Sequence, residues 1–144
     1  MKERPVLRVG VKLLIPFILL FALYVQFHGD FGPGGGFQAG VIFASAFIVY
    51  TLIYGVGAAK AALPAWVRRL LLCGGVLVYA GTGVVGLLLG KNYLDYSVLA
   101  HEPLHGQELG VGLVEFGVGM AVFAAMSTIF IIFADYTASS REDR

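Results

Sequence analysis

The sequence predicts an all-α membrane protein with four transmembrane helices, both termini cytoplasmic, and a short Gly-rich outer hairpin between helices 1 and 2. Three observations carry that prediction. The chain is 58% hydrophobic and only 13% charged, and its apolar residues gather in four runs, each near the roughly 20 residues that a bilayer crossing needs. Nine of the ten basic residues fall on one side of a four-span arrangement, which marks that side as cytoplasmic. Between the first two runs lies His28-Gly29-Asp30-Phe31-Gly32-Pro33-Gly34-Gly35-Gly36-Phe37-Gln38-Ala39-Gly40, with six glycines and a proline in 13 residues. That is more bare backbone than a simple turn requires.

The spans fall at about 6–27, 38–59, 66–90 and 109–134, within a single integral-membrane domain over 1–144. Outer loops cover 28–37 and 91–108, an inner loop covers 60–65, and a polar, frayed tail covers 136–144. The runs are continuously apolar rather than alternating at period two, which argues against a β-barrel. Little chain remains for a soluble domain. A net charge of +1 offers no case for nucleic-acid binding, and the lone Cys73 rules out an intrachain disulfide.

The first span opens on Lys2, Arg4, Arg8 and Lys12 and carries Pro16 in its interior, where the missing N–H kinks a helix. It imitates a secretory signal, but no small-x-small cleavage site follows its apolar core, so it reads as an uncleaved span. The short hairpin makes spans one and two antiparallel neighbours. The inner connection carries Lys60, then Pro64 suited to a first helical turn, then Trp66 as an interfacial anchor. In the third span Gly83, Gly86 and Gly90 share one face; Gly112 and Gly119 recur in the fourth, and Gly36 and Gly40 open the second. Small residues let helix backbones approach closely in lipid, and this chain has more smooth surface than four helices need. Much of that surface is expected to meet other proteins.

Glu115, in the fourth span, is the most pointed residue. A carboxyl in hydrocarbon must face protein or water. Desolvation favours its neutral form, which suits either a proton or cation relay or a hydrogen bond to a neighbouring subunit. Asp30 and His28, at the hairpin rim, are further candidates for cation contact, against the plainer readings of a helix cap and a loop histidine. The outer loop contains His101-Glu102-Pro103-Leu104-His105, a literal H-E-x-x-H, with Glu108 as a conceivable third zinc ligand. Zinc chemistry needs both histidines on one helical face; Pro103 allows a helix only from about that point, leaving His101 outside it.

The string Pro33-Gly34-Gly35-Gly36-Phe37-Gln38-Ala39-Gly40, preceded by His28-Gly29, resembles the small MrpB-type component of Mrp-type multisubunit cation/proton antiporters, complexes also called Mnh, Pha or Sha. The resemblance extends over nearly the whole chain, including a fourth span that opens on Gly106, Glu108 and Leu109 with an acid, Glu115, further in. The same domain occurs in membrane-bound hydrogenases and at the end of larger antiporter subunits. The resemblance implies a multi-pass subunit of a prokaryotic cytoplasmic membrane complex that exchanges sodium ions for protons. It implies partners among other integral-membrane antiporter subunits, no cofactor and no enzymatic activity of its own. It gives no role to the His-Glu-Pro-Leu-His string. Four spans with one buried acid and no repeat make a poor stand-alone antiporter and a good accessory module. The alternatives are the equivalent subunit of a membrane-bound hydrogenase-type complex, a small membrane zinc metalloprotease using His101, Glu102 and His105, and a purely structural scaffold.

Overall fold

A computed structural model describes residues 5–29 and 35–142. Asp30, Pro33 and Gly34, and with them the centre of the hairpin, lie outside the described residues. The elements are α1 (Pro5–Phe27), α2 (Gly36–Tyr54), α3 (Val56–Ala62), α4 (Ala65–Leu88), a 3-10 turn at Tyr96–Val98 and α5 (Pro103–Glu142). Among the described residues four helices are long and apolar enough to cross a membrane: α1, α2, α4 and α5.

The outer limits of these helices differ from the expected spans for local reasons. The second span was expected to run to residue 59, but α2 stops at Tyr54 because Gly55 takes φ +91°, a conformation open chiefly to glycine. The Gly55 N–H closes α2 on Thr51 O and its carbonyl accepts from Ala59 to start α3. The fourth helix begins at Pro103 rather than 109, since proline has the pre-set φ of a first turn and no N–H to leave unpaired. It also continues through the expected tail to Glu142. There the Thr137 and Ser140 hydroxyls donate back to Phe133 O and Tyr136 O, so the polar residues stay within the helix. At 40 residues α5 is about 60 Å long, about twice the hydrocarbon thickness.

Helix α5 is the axis of the molecule. Helix α2 runs parallel to it, with Gly36 against Glu115 and Gly40 against Gly119. Helix α4 runs antiparallel on another side, with Gly75 against Gly117 and Ala121. Helix α1 leans mainly on α2, antiparallel to it, and its Arg8 guanidinium lies 5.2 Å over the Tyr54 ring. One end of the bundle therefore collects the start of α1, α3, the start of α4 and the end of α5. At that basic end Lys60 pairs with Asp135 at 2.8 Å, both side chains remaining about half exposed.

The interior is built from small side chains. Ala22, Ala39, Ala44, Ala46, Ala59 and Ala124 are each 2% exposed or less, while large apolar residues such as Phe17, Leu20, Leu77 and Phe133 point outward. A water-soluble domain has the reverse arrangement. In lipid no hydrophobic force drives helices together, so stability comes from close backbone approach and satisfied polar groups. The buried Thr51 and Thr82 hydroxyls meet that need by donating to Phe47 O and Val78 O. Arg68 and Ser127 do not: both are buried, and Arg68 Nε and Nη1 and Ser127 Oγ have no hydrogen-bond partner within the described chain.

Several of the glycines expected to meet other proteins pack within the chain instead. Gly83 lies under the Tyr93 ring and Gly86 under the backbone of Asn92 and Asp95, because the outer loop folds back over α4. Gly40 and Gly119 are consumed between α2 and α5, and Gly90 (φ +80°) ends α4 as a turn residue. Gly112 has nothing within 4 Å of where a side chain would begin.

Candidate functional site

The site is built where α1 ends, α2 begins and α5 passes beneath. The last turn of α1 exposes the Val25 carbonyl, which accepts from both His28 N–H at 3.4 Å and Gly35 N–H at 3.2 Å, tying the two ends of the hairpin to one oxygen. Gly35 caps α2 at φ 121°, ψ 179°, a region essentially closed to residues with a Cβ. His28 stacks on Tyr24 one turn earlier, ring centres 4.9 Å apart.

Glu115 comes up from α5 against this bare backbone. A Cβ at Gly29 would stand 2.8 Å from Glu115 Oε1 and 3.0 Å from Oε2, and one at Gly35 would stand 2.9 Å from Oε1. At Gly36 a Cβ would overlap the Glu115 main-chain carbonyl itself. Glycine at these positions is thus a steric requirement of seating the carboxyl group. The neighbourhood also holds two amides. Gln26 Oε1 lies 2.9 Å from the Cβ position of Gly119, and Gln38 Oε1 lies 3.7 Å from that of Gly35. The carboxyl sits beside the first turn of the 19-residue α2, where the leading backbone N–H groups have no partner within the helix.

The structure therefore joins Glu115 with Gly35, Gly36, Gly40 and Gly119, and puts His28 at the rim. Phe37 and Gln38 occupy the exposed side of the first α2 turn. Gly83, Gly86 and Gly90 belong elsewhere, with the outer loop. In that loop Asp95 Oδ1 accepts from the Ser97 N–H at 3.2 Å and the Ser97 hydroxyl at 2.6 Å. These bonds hold the Asp95 carboxyl below the usual carboxylate range, Lys91 adding to the effect. Tyr96 packs its ring on Gly110, and burial, with Tyr79 and Tyr93 nearby, pushes its hydroxyl up. Gly83, Gly86, Gly106 and Gly110, which accept an aromatic ring or loop backbone, were the signal for this cover, although nothing in their spacing named the tyrosines.

The H-E-x-x-H string does not form the arrangement zinc catalysis needs. The helix begins at Pro103, so His101 and Glu102 precede it and the histidines do not share a helical face. Glu102 instead lies 3.5 Å from His105 Nδ1. Among the described residues no group of three or more His, Cys, Asp or Glu side chains is placed to hold a metal ion.

Bilayer-length helices, a small-residue interior and a carboxyl seated against glycine backbone at one end define a polytopic membrane protein. The profile of the family described as "Domain related to MnhB subunit of Na+/H+ antiporter" matches residues 6–128, and the chain belongs to that family. It is 36% identical over 138 residues to a protein of Staphylococcus haemolyticus (strain JCSC1435) provisionally named antiporter subunit mnhB2, covering 88% of this chain and 97% of that one. It is 36% identical over 135 residues to the protein of the same name in Staphylococcus aureus (strain Newman), covering 91% and 95%. The family and the four apolar helices make this a multi-pass membrane protein of the prokaryotic cell membrane, in a family of ion-antiport subunits.

Proposed function

We propose that the chain is an accessory subunit of a multisubunit Na+/H+ antiporter, needed for assembly of the complex and contributing Glu115 to the path of the ion or proton. The basic end of the bundle faces the cytoplasm and the hairpin faces outward, as the distribution of Lys and Arg requires. The observation that carries the reading is the contact of the Glu115 carboxyl with Gly29 and Gly35. Side chains there would wall the group off; bare backbone leaves carbonyls and N–H groups within reach of whatever the carboxyl binds. A carboxyl group in a membrane span, seated against bare glycine backbone, suits a monovalent cation or a transferable proton.

The test is Glu115→Gln in the reconstituted complex, which keeps the shape and removes the charge. Complex yield should match wild type, while sodium-dependent proton exchange in proteoliposomes should fall tenfold or more, about 1.4 kcal/mol on the barrier. Wild-type exchange by the assembled variant would leave Glu115 a packing residue and the chain a scaffold.

A further inference from the structure

Three cavities in the described chain join end to end. The outermost, about 590 Å³, is lined by Phe27, Glu108, Gly112 and Phe116, among others. The next, about 250 Å³, shares Phe27 and Phe116 with it and adds Leu23 and Phe123. The innermost, about 260 Å³, shares Phe123 and Phe43 with the second and adds Leu19 and Ile15. Along α1 the lining residues Ile15, Leu19, Leu23 and Phe27 recur every fourth position, forming one ridge. The cavities are thus one groove between that ridge and α5, with α2 as its floor. From Glu108 to Phe123 it runs about 22 Å, most of the thickness of a bilayer core.

We infer that this groove receives a single transmembrane helix of another subunit of the complex, one with a cationic or hydrogen-bond-donating side chain at its outer end. The inference rests on the reading of the chain as a subunit of a larger assembly. Two features favour a helix over a lipid chain. Gly112 faces the groove with open space before it, although its neighbours Gly106, Gly110, Gly117 and Gly119 are all packed within the chain. A bare glycine lets another backbone come close, a property of no use to an acyl chain. The outer mouth carries the exposed Glu108 carboxylate, with the His105 imidazole, itself 3.5 Å from the Glu102 carboxylate, beside it. A phospholipid in the groove would set its phosphate beside that charge, whereas a Lys or Arg would pair with it.

The experiment uses the whole complex in native membranes. Cys73, exposed and free, is replaced by Ser, and single cysteines at Leu23, Leu113 and, as a control on another face, Leu77 carry a benzophenone photo-cross-linker. Leu23 and Leu113 should give an adduct with one and the same membrane-spanning subunit, identified by mass spectrometry, and Leu77 should not join that subunit. Gly112→Leu should cut the adduct at least tenfold, while Gly81→Leu, equally open but outside the groove, should not. If the complex assembles and the groove cysteines join only lipid, the inference fails and the antiporter reading stands. If no other subunit accompanies the chain in mild detergent, both fail.

Discussion

Substituting Gly75→Ala should destabilise the bundle, whereas Gly81→Ala, six residues along the same helix, should not. At Gly75 a Cβ would overlap Gly117 O and stand 2.8 Å from Ala121 N, both main-chain atoms that cannot turn aside. At Gly81 nothing lies within 4 Å. Both changes gain whatever helix propensity alanine brings over glycine, about 0.5–1 kcal/mol in water, and that gain cancels in the comparison. What remains is the cost of forcing α4 from α5, which for an added methyl in a packed core is about 1–3 kcal/mol. Unfolding free energies by steric trapping in bicelles should therefore differ by about 2 kcal/mol, with Gly75→Ala the less stable. Variants equal within about 0.5 kcal/mol would refute the backbone contact between α4 and α5 on which the fold is argued.

Two other outcomes follow from particular groups. Since the bonds from Ser97 hold the Asp95 carboxyl below its ordinary range, the loop gains stability that is complete above the carboxyl's unfolded-state pKa and is lost as pH falls through the lower folded value. Hydrogen-exchange protection at 92–99, taken relative to the intrinsic rate at each pH, should fall in acid, and Ser97→Ala should remove most of that acid dependence; an unchanged profile would show that the bonds do not matter. Arg68→Met should leave the isolated chain as stable as wild type or more so, because it replaces a buried charge with unpaired Nε and Nη1 by an apolar side chain of similar length. A clear loss of stability in the same bicelle assay would mean that Arg68 has a partner within the chain.

The four spans were legible because a bilayer imposes a length and a composition that few other environments demand. The limits of the helices were less so. Gly55 sits in an apolar run and reads like any membrane-helix glycine; only its φ makes it a break. The residues after Tyr136 are polar, and polarity alone does not distinguish a loose tail from a helix rising out of the membrane. The chemistry split in the same way. The glycine hairpin and the lone acid were each visible, but they lie far apart in the chain. Nothing in either segment says that α2 and α5 run parallel with Gly36 on Glu115. Close approach was legible in the glycine stripes, but not that Tyr93, Asn92 and Asp95 of the chain's own loop would cover Gly83 and Gly86.

The position of Glu115 bears on why such a protein works in company. The carboxyl lies at the hairpin end of α5, beside Gln26, Gln38 and the first turn of α2. Further along α5 the buried residues are Gly117, Gly119, Ala124, Ser127 and Ile131, and the buried charged residue of α4 is Arg68. A cation held at the carboxylate would meet alanine, phenylalanine and then a fixed positive charge if it went on through this bundle, and each of those raises its energy. On the proposed reading, the ion's onward route from Glu115 therefore runs between subunits. A neighbouring helix seated in the groove beside Phe27 and Phe116 would supply the missing wall.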